Sequence, residues 1–287
     1  MANLFSRFLK QEHPAARSPK RSRRRLPWPA LIFLALLVLL CLLADVLAPG
    51  EAGYMDYAAA AQPPSPAHLL GTDALGRDVL AMLLHGGRTS LLIGLGAAAV
   101  SAAIGSLYGC LAALGPAWLG ELLLRGAELL LSLPGILLAI LLQAALGEAN
   151  IWTLCLVIGG TSWMEIAKIV RSEVRGLRER EYILAARSMG GGFFYLLFRH
   201  FAPAFFSSIA FQAVSGIGGA IGLEATLSFL GIGLPVEAVS WGSLLQASER
   251  ALLTGQWWMI LIPGAVLVLC LLCFLRAAEA LRRPAAS

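Results

Sequence analysis

Charge is scarce in this 287-residue chain: 14% of its residues are Asp, Glu, Lys or Arg and 58% are hydrophobic, where soluble globular domains carry about a quarter charged residues. That balance excludes an ordinary soluble domain and fixes the class as an integral membrane protein. Chemistry-bearing side chains are few as well. The histidines are His13, His68, His85 and His200, with no H-E-x-x-H among them, and no serine stands in a G-x-S-x-G turn. Zinc-dependent and elbow-type serine hydrolysis therefore lack their parts. The lysines are Lys10, Lys20 and Lys168, none following glycine in a G-x-x-x-x-G-K-[ST] loop, so no phosphate cradle is present and ATP-driven work falls to another subunit. Cys41, Cys110, Cys155, Cys270 and Cys273 sit in or beside apolar runs. They imply neither a disulfide framework nor a metal site. The net charge of +5 comes from basic residues flanking apolar segments, without the aromatic-interleaved patch that a nucleic-acid surface needs. Its reading is topology and contact with anionic lipid headgroups.

What the chain has in abundance is apolar runs long enough to cross about 30 Å of hydrocarbon, which takes about 20 helical residues. They fall at Pro27–Leu47, Ser90–Leu114, Leu129–Leu146, Ile151–Val170, Pro203–Leu230 and Trp257–Leu275, predicting an all-α membrane protein with six transmembrane helices. The first run is too long for a secretory signal and no small-residue cleavage site follows it, so it is expected to be retained. Basic residues collect in three segments: Arg7 to Arg25, Lys168 to Arg199, and Arg276, Arg282 and Arg283. With six spans these share one side, which the positive-inside rule makes cytoplasmic, along with both chain ends. On the other side Arg77, Arg88 and Arg250 are diluted by Glu51, Asp56, Asp73, Asp78, Glu237 and Glu249.

The chain thus divides into a basic tail (1–25), a first transmembrane helix (26–47), an external loop (48–88), a core (89–276) carrying a polar insert (171–202), and a carboxyl-terminal tail (277–287). Prolines break the first half of the external loop. A Gly- and Asp-rich turn follows, and then a helix with Val79, Met82 and Leu83 on one face that fits the outer interface. Gly94, Ala98 and Ala102, and Ser101, Gly105 and Gly109, recur at four-residue spacing, which lets helix backbones approach closely in lipid. Ser132-Leu-Pro134-Gly135 is expected to kink the third span. Among ionisable residues at membrane depth, Glu224 has no sequence-near cation. It either faces a water-filled passage or meets a residue of the outer loop.

The insert reads as two short helices. In Glu179–Met189, Tyr182, Ile183, Ala186 and Met189 share an apolar face, Gly190-Gly-Gly192 ends the helix, and Phe193–His200 follows before Pro203 opens the fifth span. Such a knob suits insertion into a groove, and it equally suits an interfacial hairpin lying on the membrane.

Ala185-Ala186-x-x-x-Gly190 with the later Pro203 resembles the cytoplasmic loop of permease subunits in binding-protein-dependent ABC importers. Leu70-Gly-Thr-Asp-Ala-Leu-Gly-Arg-Asp78, and Leu227-Ser-Phe-Leu-Gly-Ile-Gly-Leu-Pro235 followed by Ser240-Trp-Gly242, are similar to the second permease subunit of the dipeptide, oligopeptide and nickel group. The resemblance runs from about Pro27 to about Leu275 and implies a MetI-like permease architecture with a cytoplasmic coupling helix. It also implies that Glu181, Tyr182, Ala185, Ala186, Arg187, Gly190 and Pro203 couple the chain to an ATPase. The loop residues Gly71, Asp73, Gly76, Arg77 and Asp78 would face the partner permease or the binding protein, and Glu224 is a candidate for the passage. The implied partners are a second, homologous permease, two ATP-binding subunits that hold ATP and magnesium, and an external (periplasmic) solute-binding protein. The chain itself would hold no cofactor, catalyse nothing and sit in a bacterial inner membrane. The implied cargo is a small peptide or a nickel chelate. Leu184 stands where the broader pattern has Glu, and the carboxyl end lacks the Gly-Asp-x-Leu-Arg-Asp stretch usual in the peptide group. The rival reading is an ion-gradient secondary transporter or channel, for which Glu224 alone offers a midplane group.

Overall fold

A computed structural model describes residues 26–48, 53–235 and 238–281. The basic tail 1–25, Glu51, Glu237 and residues 282–287 with Arg282 and Arg283 lie outside the described residues. Within them the protein is all-helical, the one extended pairing being a bridge between Thr72 and Asp78. The helices are α1 (Trp28–Leu42), α2 (Ala44–Leu47), α3 (Val79–Leu114), α4 (Ala117–Leu131), α5 (Gly135–Leu146), α6 (Ile151–Ser162), α7 (Met164–Leu177), α8 (Glu181–Ser188), α9 (Phe193–Leu196), α10 (Ala202–Phe229), α11 (Trp241–Leu253) and α12 (Trp258–Leu281). Among the described residues, α3 and α12 are each long and apolar enough to cross a membrane, and counting each of two bent helix pairs as one span raises the number to four.

The central element is α3, packed along α6, α7 and α10, with α10 packed in turn along α12. Its 36 residues extend about 54 Å at the usual helical rise. The sequence suggests an interfacial helix from Val79 separate from the span at Ser90, but the structure makes them one. Asp78 caps the start by accepting from the Leu80 and Ala81 amides at 2.8 and 3.1 Å. Gly86 and Gly87 do not break the helix, because each lies where a neighbour needs the room: the Ser240 backbone beside Gly86, and the Trp241 ring and Cys41 Sγ beside Gly87. Val79, Met82 and Leu83 accordingly enter the protein core and not a lipid interface.

The four-residue repeats act as packing surfaces. A Cβ at Gly94 would stand 2.6 Å from Ile221 of α10, and Cβ atoms at Gly105 and Gly109 would crowd the Trp163 and Ala167 carbonyls of the α6–α7 segment at 2.7 and 2.6 Å. Dispersion between closely apposed backbones holds these helices together.

The expected kink at Pro134 is a 94° bend between α4 and α5. A second bend, of 50°, divides the expected fourth span at Trp163. There the Thr161 and Ser162 hydroxyls both donate to the Ile158 carbonyl, at 3.0 and 2.9 Å, and compete with the backbone ladder just before it stops. At the first span, α1 ends at Leu42. Arg88 of α3 donates to the freed Cys41 and Leu42 carbonyls, both at 2.6 Å, and pairs with Asp45 at 2.8 Å.

Candidate functional site

Two chain segments stand at opposite ends of α3. At its amino-terminal end lies the Leu70–Asp78 loop, and at its carboxyl-terminal end Arg178, just before α8, donates to the Ala113 carbonyl at 3.1 Å.

The α8 segment is a closed unit. Glu181 in its first turn and Arg187 in its last complement the helix dipole. Gly190 takes φ +88° and donates to the Arg187 carbonyl, while the Gly191 amide donates to the Ala186 carbonyl, both at 3.0 Å. This pair of bonds is a Schellman cap, and its left-handed residue is where only glycine avoids a steric penalty. The structure divides the four-residue face expected from the sequence. Ile183 and Ala186 (5% exposed) turn inward onto Val170 and Val174 of α7 and onto Leu196, Leu197, Phe201 and Phe205. Tyr182 (52%) and Met189 (82%) turn outward, and with exposed Ala185 they make a ridge at i, i+3 and i+7. Phe194 and Phe198 stack on each other at 6.5 Å and are exposed as well. Glu181 and Arg187 are exposed at its rim.

The second short helix is no separate element. A π turn, Leu197–Phe201, joins α9 to α10 without a break. It ends just before Pro203, an exposed residue in the first turn of α10, whose nitrogen has no hydrogen to donate to a preceding carbonyl.

In the opposite loop the motif residues bind one another. Arg77 (8% exposed) donates through Nε to Asp73 Oδ2 (3% exposed) at 2.7 Å, and Asp73 Oδ1 also accepts from the Leu75 and Arg77 amides at 2.9 and 2.8 Å. His68 Nδ1 lies 2.8 Å from Asp78 Oδ2, and Trp258 Nε1 donates to the Thr72 carbonyl at 3.2 Å. Gly71 and Gly76 both have φ near +80°, and a Cβ at Gly76 would overlap the Asp56 carbonyl. Asp73 and Arg77 thus hold the loop's shape from inside, and its outward surface is Tyr54, Tyr57 and Leu69. Gly76→Ala is expected to cost about 2 kcal/mol, since left-handed backbone is unfavourable for alanine and the Asp56 contact must also move. Faster proteolytic cleavage between residues 53 and 78 in intact membranes would register it.

Glu224 is wholly buried. Ser90 Oγ donates to its Oε2 at 3.1 Å and Ser228 Oγ to its Oε1 at 2.8 Å, while Ser90 Oγ also accepts from the Trp241 amide at 3.1 Å. The Trp241 indole is buried and donates to the Leu83 carbonyl at 2.9 Å. The Ser240-Trp-Gly242 motif therefore locks α11 onto α3 and α10. Sequence reasoning does not pick out Ser90 and Ser228 as partners of Glu224, nor Trp241 as the donor to Ser90. The i, i+4 spacing of Glu224 and Ser228 was the available signal.

Residues 105–284 match the family of binding-protein-dependent transport system inner membrane components. A protein of Brucella suis biovar 1 that bears the name of a peptide permease is 37% identical over 261 residues, covering 90% of this chain and 86% of its own. The oligopeptide transport system permease protein OppC of Mycobacterium tuberculosis is 36% identical, covering 91% of this chain and 89% of its own. That of Bacillus subtilis is 31% identical, covering 85% and 80%. The chain belongs to this transport-permease family. It is a multi-pass membrane permease subunit of an ABC importer and not an enzyme, ATP hydrolysis being done by partner subunits. In this permease the loop at Asp73 and the Trp241 motif are internal braces, whereas α8 presents its ridge to whatever lies beyond the chain.

Proposed function

We propose that this permease imports small peptides, forming the passage with a second, non-identical permease and docking one of two ATP-binding subunits through α8. The observation that carries the reading is the α8 ridge of Tyr182, Ala185 and Met189: apolar, exposed and held on a rigid cap at one end of the bundle. Exposed apolar surface of this kind marks a partner site, and a short helix with i, i+3 and i+7 anchors suits a groove. The basic residues on α7 and near α8 favour a cytoplasmic position for that end. The loop outside Asp73 and Arg77 would then meet the solute-binding protein or the second permease through Tyr54, Tyr57 and Leu69. Of the two cargo classes implied by the sequence resemblance, peptides are favoured over nickel chelates by the names that the relatives carry. The complete importer in proteoliposomes is expected to accumulate tri-alanine only when ATP and the binding protein are both supplied. Uptake by this chain alone, driven by an ion gradient without ATP, would overturn the reading and favour a secondary transporter.

A further inference from the structure

Between α3, α6, α7 and α10 lies a cavity of about 330 Å³ whose polar lining includes Ser101, Thr161, Ser162, Glu165, Gln212 and Ser215. A Cβ at Gly216 or Gly219, on the α10 wall, would meet nothing within 4 Å, so small residues keep the space open. Ser101 is 4% exposed and its hydroxyl has no hydrogen-bond partner among the described residues. A buried hydroxyl without a partner is costly to maintain unless something visits it.

The charges around this cavity are sorted by sign. On α7, Lys168 pairs with Glu128 at 3.8 Å and Arg171 with Glu121 at 3.5 Å, so these cations are drawn toward α4. Arg175, seven residues after Lys168, shares its side of the helix. The α7 carboxylates turn instead toward α10. Glu165 accepts from Gln212 Nε2 at 2.6 Å, and Glu173, about 12 Å farther along the helix, accepts from Ser208 Oγ at 2.8 Å. Neither carboxylate has a salt-bridge partner among the described residues, and both are exposed. The cavity thus holds hydroxyls, an amide and a carboxylate but no cation, and a second carboxylate continues the same face toward the α8 end.

We infer that Glu165 and Glu173 form an acidic track that receives the cationic groups of the cargo, its amino-terminal ammonium or a lysine or arginine side chain, as it leaves the Ser101 cavity. This rests on the peptide-import reading above. The carboxylates supply a charge complement without a deep pocket, which holds a cation for a moment without trapping it. The test is uptake by the complete importer in proteoliposomes with saturating binding protein, comparing Ala-Lys-Ala with Ala-Glu-Ala. The wild-type importer is expected to move the lysine peptide faster. The double variant Glu165→Gln, Glu173→Gln is expected to lose that preference and to slow Ala-Lys-Ala about tenfold, the factor that matches ~1.4 kcal/mol. Subunit assembly and cargo-free ATP hydrolysis should stay at wild-type levels, and Glu165→Asp should keep most of the preference. Wild-type rates and preference in the double variant would overturn the track, as would a uniform slowing of both peptides with the preference intact. If the wild-type importer moves neither peptide, the peptide-import reading itself falls and the track falls with it.

Discussion

Met189→Asp is expected to release an ATP-hydrolysing subunit from the importer while leaving the amount of folded permease unchanged, whereas Ala186→Asp is expected to lower both ATPase retention and the amount of permease. The two residues lie three apart on one short helix but meet different surroundings. Met189 is 82% exposed and touches little of its own chain, so an aspartate there is solvated in the isolated permease. In an apolar groove of a partner the same carboxylate would lose its water without gaining a donor, which costs several kcal/mol. It would also forgo the ~2 kcal/mol that burying a methionine contributes. Ala186, at 5% exposure, faces Leu196, Leu197 and Phe201, and a carboxylate there is buried within the permease itself before any partner arrives. Misfolding of the α8 unit, and clearance of the chain, would follow. Size-exclusion chromatography of the detergent-solubilised importer gives subunit stoichiometry, and immunodetection in membranes gives permease abundance. Full retention of ATPase subunits by Met189→Asp would sink the docking role of the ridge.

The contrast between those two positions shows where the sequence stops being informative. Its periodicity correctly picks Tyr182, Ile183, Ala186 and Met189 as apolar, and Gly190 as the place where a left-handed residue ends the helix. Which half of that stripe is buried depends on where α7 and the π turn run, and no local pattern encodes this. Asp73 and Arg77 are close in sequence and could be suspected of pairing, yet their burial is a tertiary matter, in a loop whose Thr72 carbonyl is bonded by Trp258 from 186 residues away. Arg88 and Asp45 are 43 residues apart, and their pairing depends on the break in α1 that Arg88 itself satisfies. The division of the fourth span at Trp163 was missed because its signal is the pair of hydroxyls at Thr161 and Ser162, which a hydropathy reading treats as tolerable interruptions. The small-residue repeats of α3 were the most transferable signal. A glycine on a membrane helix means close approach, and only the identity of the neighbouring helix is left open.

Glu224→Ala is expected to destabilise the permease by about 2–4 kcal/mol, from unpaired hydroxyls and a cavity, and Glu224→Gln by about 1 kcal/mol. The carboxylate joins three helices: α10 supplies it, Ser90 of α3 donates to one oxygen, and Ser90 in turn accepts from the Trp241 amide at the start of α11. Truncation to alanine leaves the hydroxyls of Ser90 and Ser228 without their acceptor in a site that water does not reach. The amide of glutamine keeps an acceptor oxygen for one serine and offers the other a donor, to which a hydroxyl can turn its lone pairs. Of the two readings open from the sequence, a passage or a contact with the outer loop, the structure gives Glu224 helix partners instead, and the two variants separate the passage from this brace. If Glu224 were a group on the passage, glutamine would stop uptake while leaving the melting temperature of the purified permease nearly unchanged. If it is the brace that the structure shows, glutamine keeps most of the uptake, and alanine lowers the melting temperature and uptake together. Loss of uptake in Glu224→Gln at wild-type stability would return this residue to the passage. Ser90→Ala provides a further check, since it removes the shared hydroxyl between Glu224 and Trp241 without touching the carboxylate, and it should lower the melting temperature in the same direction.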